Sequence, residues 1–251
     1  MALADNLISY WKLDESSGDA ADSVASNTLV NVLVTYIAAK INNGALYNSA
    51  GDGLSIADAS QAGLDITGDI SVSFWIKHTT LPPTDGSADQ YYIDKRKIVT
   101  NGQYTFGYTG NYLATGKRNL YCAIRDASNN LTRFITTDAA NVTLSTVAFN
   151  HVVFAVTAAT PAIAIYVDGS SIGTQTDGTA ATAIGNNDGP FTVGYAISPG
   201  TVELDGLIDE IGIWSRVLTS GEVSELYNSG AGNQYPFTAA AAANHWLLMG
   251  V

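Results

Sequence analysis

The sequence predicts an all-β protein, a two-sheet antiparallel sandwich that ends in one short C-terminal helix. Three observations carry that prediction. Apolar residues alternate with others at Ile70, Val72, Phe74 and Ile76, at Val152, Phe154 and Val156, and at Ile163, Ile165 and Val167. That period of two belongs to strands with one face in a core. Turn-forming clusters separate such runs, at 14–18, 42–44, 51–53, 101–102, 126–130, 177–178 and 186–189. Glycine is frequent, with 24 residues, and proline scarce, with 6, which suits tight turns between short strands. At 251 residues, 46% of them hydrophobic, the chain is long enough for a sizeable core in a single sandwich domain.

Each element follows from local pattern. The run around Tyr10-Trp11 opens the first strand almost at once. Asp168-Gly169 between apolar runs reads as a tight hairpin turn. Residues 81–90 form a polar, turn-rich loop that looks like an insertion. Residues 91–120 look like a second one, and two readings stand side by side. They are two strands with aromatic cross-strand pairs and solvated basic ends. Or they are a rim of rings and donors suited to the C–H faces of sugars. The second reading selects Tyr91, Tyr92, Tyr108 and Tyr112 as glycan contacts, near Lys95, Arg96, Lys97, Lys117 and Arg118. Weak single-site binding is expected there, with avidity from a repeated array.

The stretch 202–219 reads as a strand pair broken at Gly206 and running into a capped helix. Thr219 and Glu222 have the spacing of a capping box, and Gly230 sits where the helix would stop. Asp209 and Glu210 fall inside the second strand. Neighbouring strand residues face opposite ways, so one of the two is expected to turn toward the core side. A carboxylate there needs a partner, and a metal ion is one candidate. The pattern is complete by about residue 232, giving a domain over 1–232 and a tail over 233–251. The tail has alanines at 239–243 and then Trp246, Leu247, Leu248, Met249 and Val251. Either it packs on its own sandwich, or residues 238–251 dock onto a neighbouring subunit or a larger particle. Deleting 238–251 separates the two.

Charge and cysteine content exclude several classes. The net charge is −12 with 11 basic residues, against phosphate-backbone binding and against anionic membranes. No run reaches the roughly 20 apolar residues of a membrane span. Cys122 is the only cysteine, so no intrachain disulfide forms, and its neighbours suggest a buried strand thiol. The start Met1-Ala-Leu-Ala-Asp-Asn lacks the basic and apolar parts of a secretory signal.

Five ordered segments over about residues 6–232 resemble the laminin-G-like, concanavalin-A-like jelly rolls. They are Tyr10-Trp11-Lys12-Leu13-Asp14-Glu15 with Asp22-Ser23; Asn43-Gly44-Ala45-Leu46-Tyr47; Ile70 to Ile76; Ile165-Tyr166-Val167-Asp168-Gly169; and Ile208-Asp209-Glu210, Trp214, Arg216, Leu218-Thr219, Glu222-Val223, Leu226-Tyr227 and Gly230. The resemblance implies a jelly-roll topology. It also implies a structural Ca²⁺ near the rim, held by Asp22 and Asp209, with backbone carbonyls near 42–44 completing the shell. The loop departs from the family pattern after Asp22-Ser23, where Val24-Ala25-Ser26-Asn27 replaces the common Gly-Asn pair.

No catalytic motif accompanies the fold. Laminarinase-like relatives carry E-x-D-x-x-E on a strand to supply a nucleophile and an acid. The nearest match here is Glu203-Leu204-Asp205-Gly206-Leu207-Ile208, whose third acid is replaced by isoleucine. His78, His151 and His245 belong to no nucleophile or zinc motif. The expectation is a non-enzymatic virion surface protein, a bacteriophage capsid decoration or tail appendage. Its partners would be capsid or tail proteins and host-surface glycans, and it would be a homo-oligomer or docked on the particle. The alternative is a secreted bacterial carbohydrate-binding module acting outside the cell, with a glycoside hydrolase of unfamiliar mechanism third.

Overall fold

The alternating runs become strands of two packed antiparallel sheets. The structure is a computed structural model that describes residues 1–97, 102–110, 116–137, 142–179, 181–196 and 203–238. In chain order the strands are β1 (Leu7–Trp11), β2 (Val30–Val32), β3 (Thr35–Ala38), β4 (Asn43–Tyr47), β5 (Gly53–Ile56), β6 (Ile70–His78), β7 (Asp89–Arg96) and β8 (Gly102–Gly110). They continue with β9 (Arg118–Arg125), β10 (Leu131–Thr136), β11 (Asn150–Thr157), β12 (Ala162–Val167), β13 (Ser170–Ile172), β14 (Thr174–Thr179), β15 (Phe191–Val193) and β16 (Gly206–Trp214). Helix α1 (Ser220–Tyr227) follows. The expected all-β sandwich with one short C-terminal helix is what forms.

The first sheet runs β13-β12-β11-β6-β16-β4-β3, with β1 also paired to β16. The second runs β14-β10-β9-β8-β7-β15-β5-β2. The described residues of 91–120 are therefore no insertion. They build β7, β8 and the start of β9, the middle of the second sheet. The strand reading of that stretch holds.

The main core lies between the sheets. Ile70, Val72, Phe74 and Ile76 of β6, with Phe154 of β11 beside them, face Tyr92, Tyr104 and Phe106 of the second sheet there. A second apolar cluster covers the outer face of the first sheet: Leu7, Tyr10, Val153, Trp214, Leu218, Val223 and Leu226. Tyr235 and Phe237 pack onto it, with Phe237 edge-on to Tyr10 at 5.5 Å. The packing thus continues past residue 232 to at least Phe237. The docking expected of 238–251 falls, except for Thr238, outside the described residues.

Local signals hold as read. Thr219 Oγ1 accepts from Glu222 N, and Glu222 reaches back to Thr219 N at 2.8 Å, the expected capping box. The helix stops two residues earlier than expected, at Asn228, which takes the left-handed conformation at φ 47°. Asp168 and Gly169, at φ 50° and 77°, make the hairpin turn. Arg216 is clamped between Glu222, at 2.9 Å, and the carbonyls of Asp5 and Ala2, which ties the N-terminal turn to the helix.

Candidate functional site

The outer faces of the two sheets differ, and strand parity decides what each shows. On β8, Tyr104, Phe106 and Tyr108 point inward, so Gln103, Thr105 and Thr109 point out. On β9, Leu120, Cys122 and Ile124 point inward, leaving Tyr121, Ala123 and Arg125 outside. On β7 the register against β8 slips between Tyr91 and Ile93, a bulge that sends both Tyr92 and Ile93 into the core. Tyr91 and Arg96 stay outside. With Arg133 of β10 and Asp89 they line a cleft enclosing about 110 Å³ on the open face of the second sheet.

The cleft is rigid and polar. Tyr91 and Tyr121 meet edge to face at 6.0 Å. The Arg96 guanidinium lies 5.2 Å from the Tyr91 ring centroid and ion-pairs with Asp94 at 3.1 Å through Nε. Asp94 is buried and also accepts from Thr105 Oγ1 at 2.5 Å. Burial raises the Asp94 carboxyl above its ordinary value, while Arg96 and Thr105 oppose the rise. Arg96 Nη2 and the Tyr121 hydroxyl are buried and make no hydrogen bond of ordinary length, with the Tyr91 hydroxyl as the near polar neighbour of both side chains. Polar groups left in that condition are costly, and a bound ligand is one way to satisfy them. Gly107 lies under the Tyr121 ring: a Cβ there would come within 2.8 Å of the ring and of the Gln90 carbonyl.

The four tyrosines expected at a glycan rim are not brought together. Tyr91 lines the cleft. Tyr92 and Tyr108 are core residues, the first bonded to His78 Nε2 at 2.9 Å and the second donating to the Val142 carbonyl at 2.8 Å. Tyr112 lies outside the described residues. The reason is parity: rings close in sequence face opposite sides, and the inward alternation of 104, 106 and 108 marks the core. Of the basic residues, Lys95 is fully buried between Asp58 and Asp65, and Lys97 pairs with Asp188 on the surface. Only Arg96 of that trio reaches the cleft. Tyr121, Arg125 and Arg133 were not foreseen, although the alternation over 118–125 puts polar and aromatic residues on one face.

The outer face of the first sheet holds the acidic pair. Strand β16 slips register between Asp209 and Gly212, so one extra residue sits there, and Glu210 adopts φ 53°. The bulge falls where the neighbour of β16 changes from β4 to β1. Ile208, Ile211 and Ile213 all face the core, so both acids lie between inward residues, on the outer face. The expectation that one would turn to the core side is corrected. Both are buried nonetheless: Gln234 of the C-terminal segment reaches Glu210, and the backbone at Ile41 reaches Asp209. Glu210 bonds the Tyr10 hydroxyl and Gln234, the latter at 2.5 Å. Asp209 Oδ2 accepts from Ile41 N at 2.9 Å. Burial lifts Asp209 to about 8 and Glu210 to about 7, with Asp14 adding to both.

The two carboxylates expected at a calcium site differ in how their oxygens are bonded. Asp209 Oδ1 is buried and without a partner, as a cation ligand would be. Asp22 uses its oxygens on the amides of Tyr10, Val24 and Asn27, at 3.0, 2.9 and 3.3 Å, the turn-forming role. The carboxylates whose charge reaches Asp209 are Glu210 and Asp14 rather than Asp22. Among the described residues, no three His, Cys, Asp or Glu side chains are grouped as a metal site.

Glu203 and Asp205, from the broken glucanase-like motif, sit on a loop rim. Glu203 accepts from Gly51 N at 2.9 Å and Asp205 from Thr80 Oγ1 at 2.5 Å. His78 and His151 are buried and structural, the latter bonded to Ser73 Oγ at 2.8 Å. Cys122 is buried, and burial pushes its thiol up, away from reactivity. No helix among the described residues is long and apolar enough to cross a membrane.

Comparison with known proteins agrees with this architecture. The binding domain of Paraclostridial Mosquitocidal Protein 1 superposes with a TM-score of 0.69 at 17% identity, over 91% of this chain and 53% of that one. Domain 4 of AbnA, an extracellular arabinanase from Geobacillus stearothermophilus solved with arabinotriose, gives 0.59 at 18% identity, over 91% of this chain and 98% of that one. The binding domain of botulinum neurotoxin serotype D, in complex with N-acetylneuraminic acid, gives 0.62 at 16% identity, over 89% and 51%. The chain thus spans about half the length of the two toxin binding domains. No curated protein matches the sequence. The family profile of the concanavalin A-like lectin/glucanases superfamily matches residues 48–224, and the chain belongs to that superfamily.

Proposed function

We propose that this protein is a non-catalytic glycan-binding module whose site is the cleft on the open face of the second sheet. One observation carries the reading. Two rings, Tyr91 and Tyr121, are fixed on a rigid sheet face beside donors that make no hydrogen bond of ordinary length, Arg96 Nη2 and the Tyr121 hydroxyl. Sugars offer C–H faces to rings and hydroxyls to such donors, and sites of this kind pair apolar walls with a few placed polar groups. The similar arabinanase domain and toxin domain were solved with an oligosaccharide and a sugar acid, which supports the reading by analogy. The setting is the surface of a virion, with residues 238–251 as the attachment to capsid or tail; an extracellular bacterial module is the rival. The test is a glycan array probed with multivalent protein. Signal is expected for the native chain and a loss of at least tenfold for Tyr91→Ala. Equal signals for the two, or none from the native chain, overturn the proposal.

Calcium belongs to the other face and serves stability. Asp209 would hold the ion with Asp14 and Glu210 beside it. Binding to the folded state alone raises the melting temperature by mass action. After EDTA, millimolar Ca²⁺ is expected to raise the melting temperature of the native chain and of Asp22→Asn but not of Asp209→Asn. A flat response in all three removes calcium from the account.

A further inference from the structure

We infer that the protein holds a glycan as a chain of several units rather than as one terminal sugar, because a second groove continues the cleft past Asp89. This deepens the glycan reading above and rests on it. Asp89, the first residue of β7, lines both cavities. On one side of it is the cleft of about 110 Å³, and on the other a groove enclosing about 360 Å³. The groove is walled by the loops at 48–50, 80–83 and 203–205 and by the start of β7. The cleft alone reaches along β7 from Asp89 to Arg96, roughly 20 Å at the rise of a strand. A single sugar ring covers a fraction of that path, and the groove lengthens it.

The groove is preformed. Gln90 Nε2 donates to the Thr80 carbonyl at 2.9 Å and Arg118 Nε to the Pro82 carbonyl at 2.5 Å, which pins the 80–83 loop. That loop lies so close over β8 that a Cβ on Gly110 would come within 1.7 Å of the Pro83 carbonyl oxygen. Across the groove, Glu203 and Asp205 are each held through one oxygen, by Gly51 N at 2.9 Å and by Thr80 Oγ1 at 2.5 Å. The second oxygen of each makes no hydrogen bond among the described residues. A carboxylate only accepts, and sugar hydroxyls are donors suited to it. Leu81 and Pro83 give the groove an apolar side. A few fixed polar groups beside apolar surface are the usual make-up of a ligand site. Continuity with the ring-lined cleft favours a glycan over a basic peptide as the occupant.

The experiment titrates the protein in solution with ladders of glucan, mannan, galactan and arabinan oligosaccharides of two to six units, beside an oligolysine. In at least one ladder the native chain is expected to bind the hexamer at least twentyfold tighter than the dimer, beyond the statistical gain of several overlapping dimer sites in one hexamer. Ala50→Trp fills the groove from an exposed turn, and Glu203→Gln removes a charge from its wall without adding bulk. Each is expected to bring the ratio below fivefold, with the melting temperature confirming the fold. A fall in either variant supports the inference. Binding that is equal for dimer and hexamer overturns it and leaves the glycan reading intact. A ratio unchanged in both variants, or a preference for oligolysine over every ladder, also overturns it. Binding to no sugar of any length overturns both.

Discussion

The two outer faces of the sandwich use the same device for opposite ends. On β7 a bulge sends two consecutive apolar residues, Tyr92 and Ile93, inward and leaves Tyr91 and Arg96 on an open face. On β16 a bulge leaves two consecutive acids, Asp209 and Glu210, on a face that helix α1 and residues 233–238 then cover. The open face carries arginines and donors that make no hydrogen bond of ordinary length. The covered face carries carboxylates, an apolar cluster and a clamped ion pair. The difference bears on the proposed site: the covered face holds the molecule together, and the open face is the one the proposal assigns to binding.

That contrast breaks most visibly at Arg216. It is buried and paired with Glu222 through both nitrogens of its fork. Arg216→Ala strands a buried carboxylate and detaches the N-terminal turn, at an expected cost of about 3–5 kcal/mol. Urea unfolding measures it. A cost under about 1 kcal/mol would mean the covered face is not a second core.

A smaller effect depends on pH. His151, stacked on Tyr227 and tilted against Trp75, is held by burial at about 3, and His78 in the core at about 4. Both lie below the unfolded value of about 6.5. The unfolded chain therefore binds their protons first. Their contribution is full above about pH 6.5 and is lost as pH falls toward 4, by up to about 1.4 kcal/mol per unit for each histidine. Asp209 and Glu210 act in the opposite sense over overlapping values, so the histidine effect is read as a difference. His151→Gln should flatten the acid limb of stability against pH, and an unchanged limb sinks the assignment.

The smallest effect sharpens the comparison through a matched pair of hydroxyls. Tyr10→Phe removes a bond to Glu210 on the covered face and should cost about 1.5–3 kcal/mol. Tyr121→Phe removes a hydroxyl that makes no hydrogen bond of ordinary length and should change stability by less than about 0.5 kcal/mol, while weakening glycan binding. Equal costs at the two sites would erase the distinction between the faces.

How much of this was legible follows from what pattern can encode. Period-two alternation in β6, β11 and β12, the Asp168-Gly169 turn and the Thr219–Glu222 cap are local, and each was readable from a few residues. The two bulges were not. A bulge shifts parity by one, and neither is announced by glycine: Glu210 takes φ 53° itself, and Tyr92 sits in an ordinary aromatic run. The misplacement of Tyr92 and Tyr108 has a simpler reason: ordinary alternation, beside Tyr91 on β7 and along 104, 106 and 108 on β8, turns both inward. The cleft gathers four strands, and its three arginines span 37 positions in sequence, from Arg96 to Arg133. Only the order of the second sheet brings them together.

The place of β16 has a consequence for how the chain is made. This strand lies between β6 on one edge and both β4 and β1 on the other, pairing Leu7 with Trp214. Three earlier strands therefore wait, each with a bare edge, until the last strand emerges from the ribosome. Long-range pairings of this kind form slowly, and exposed edges are where misassembly begins. A nascent chain halted before residue 206 would hold most of its apolar residues and no closed first sheet, the state in which a chaperone has most to do.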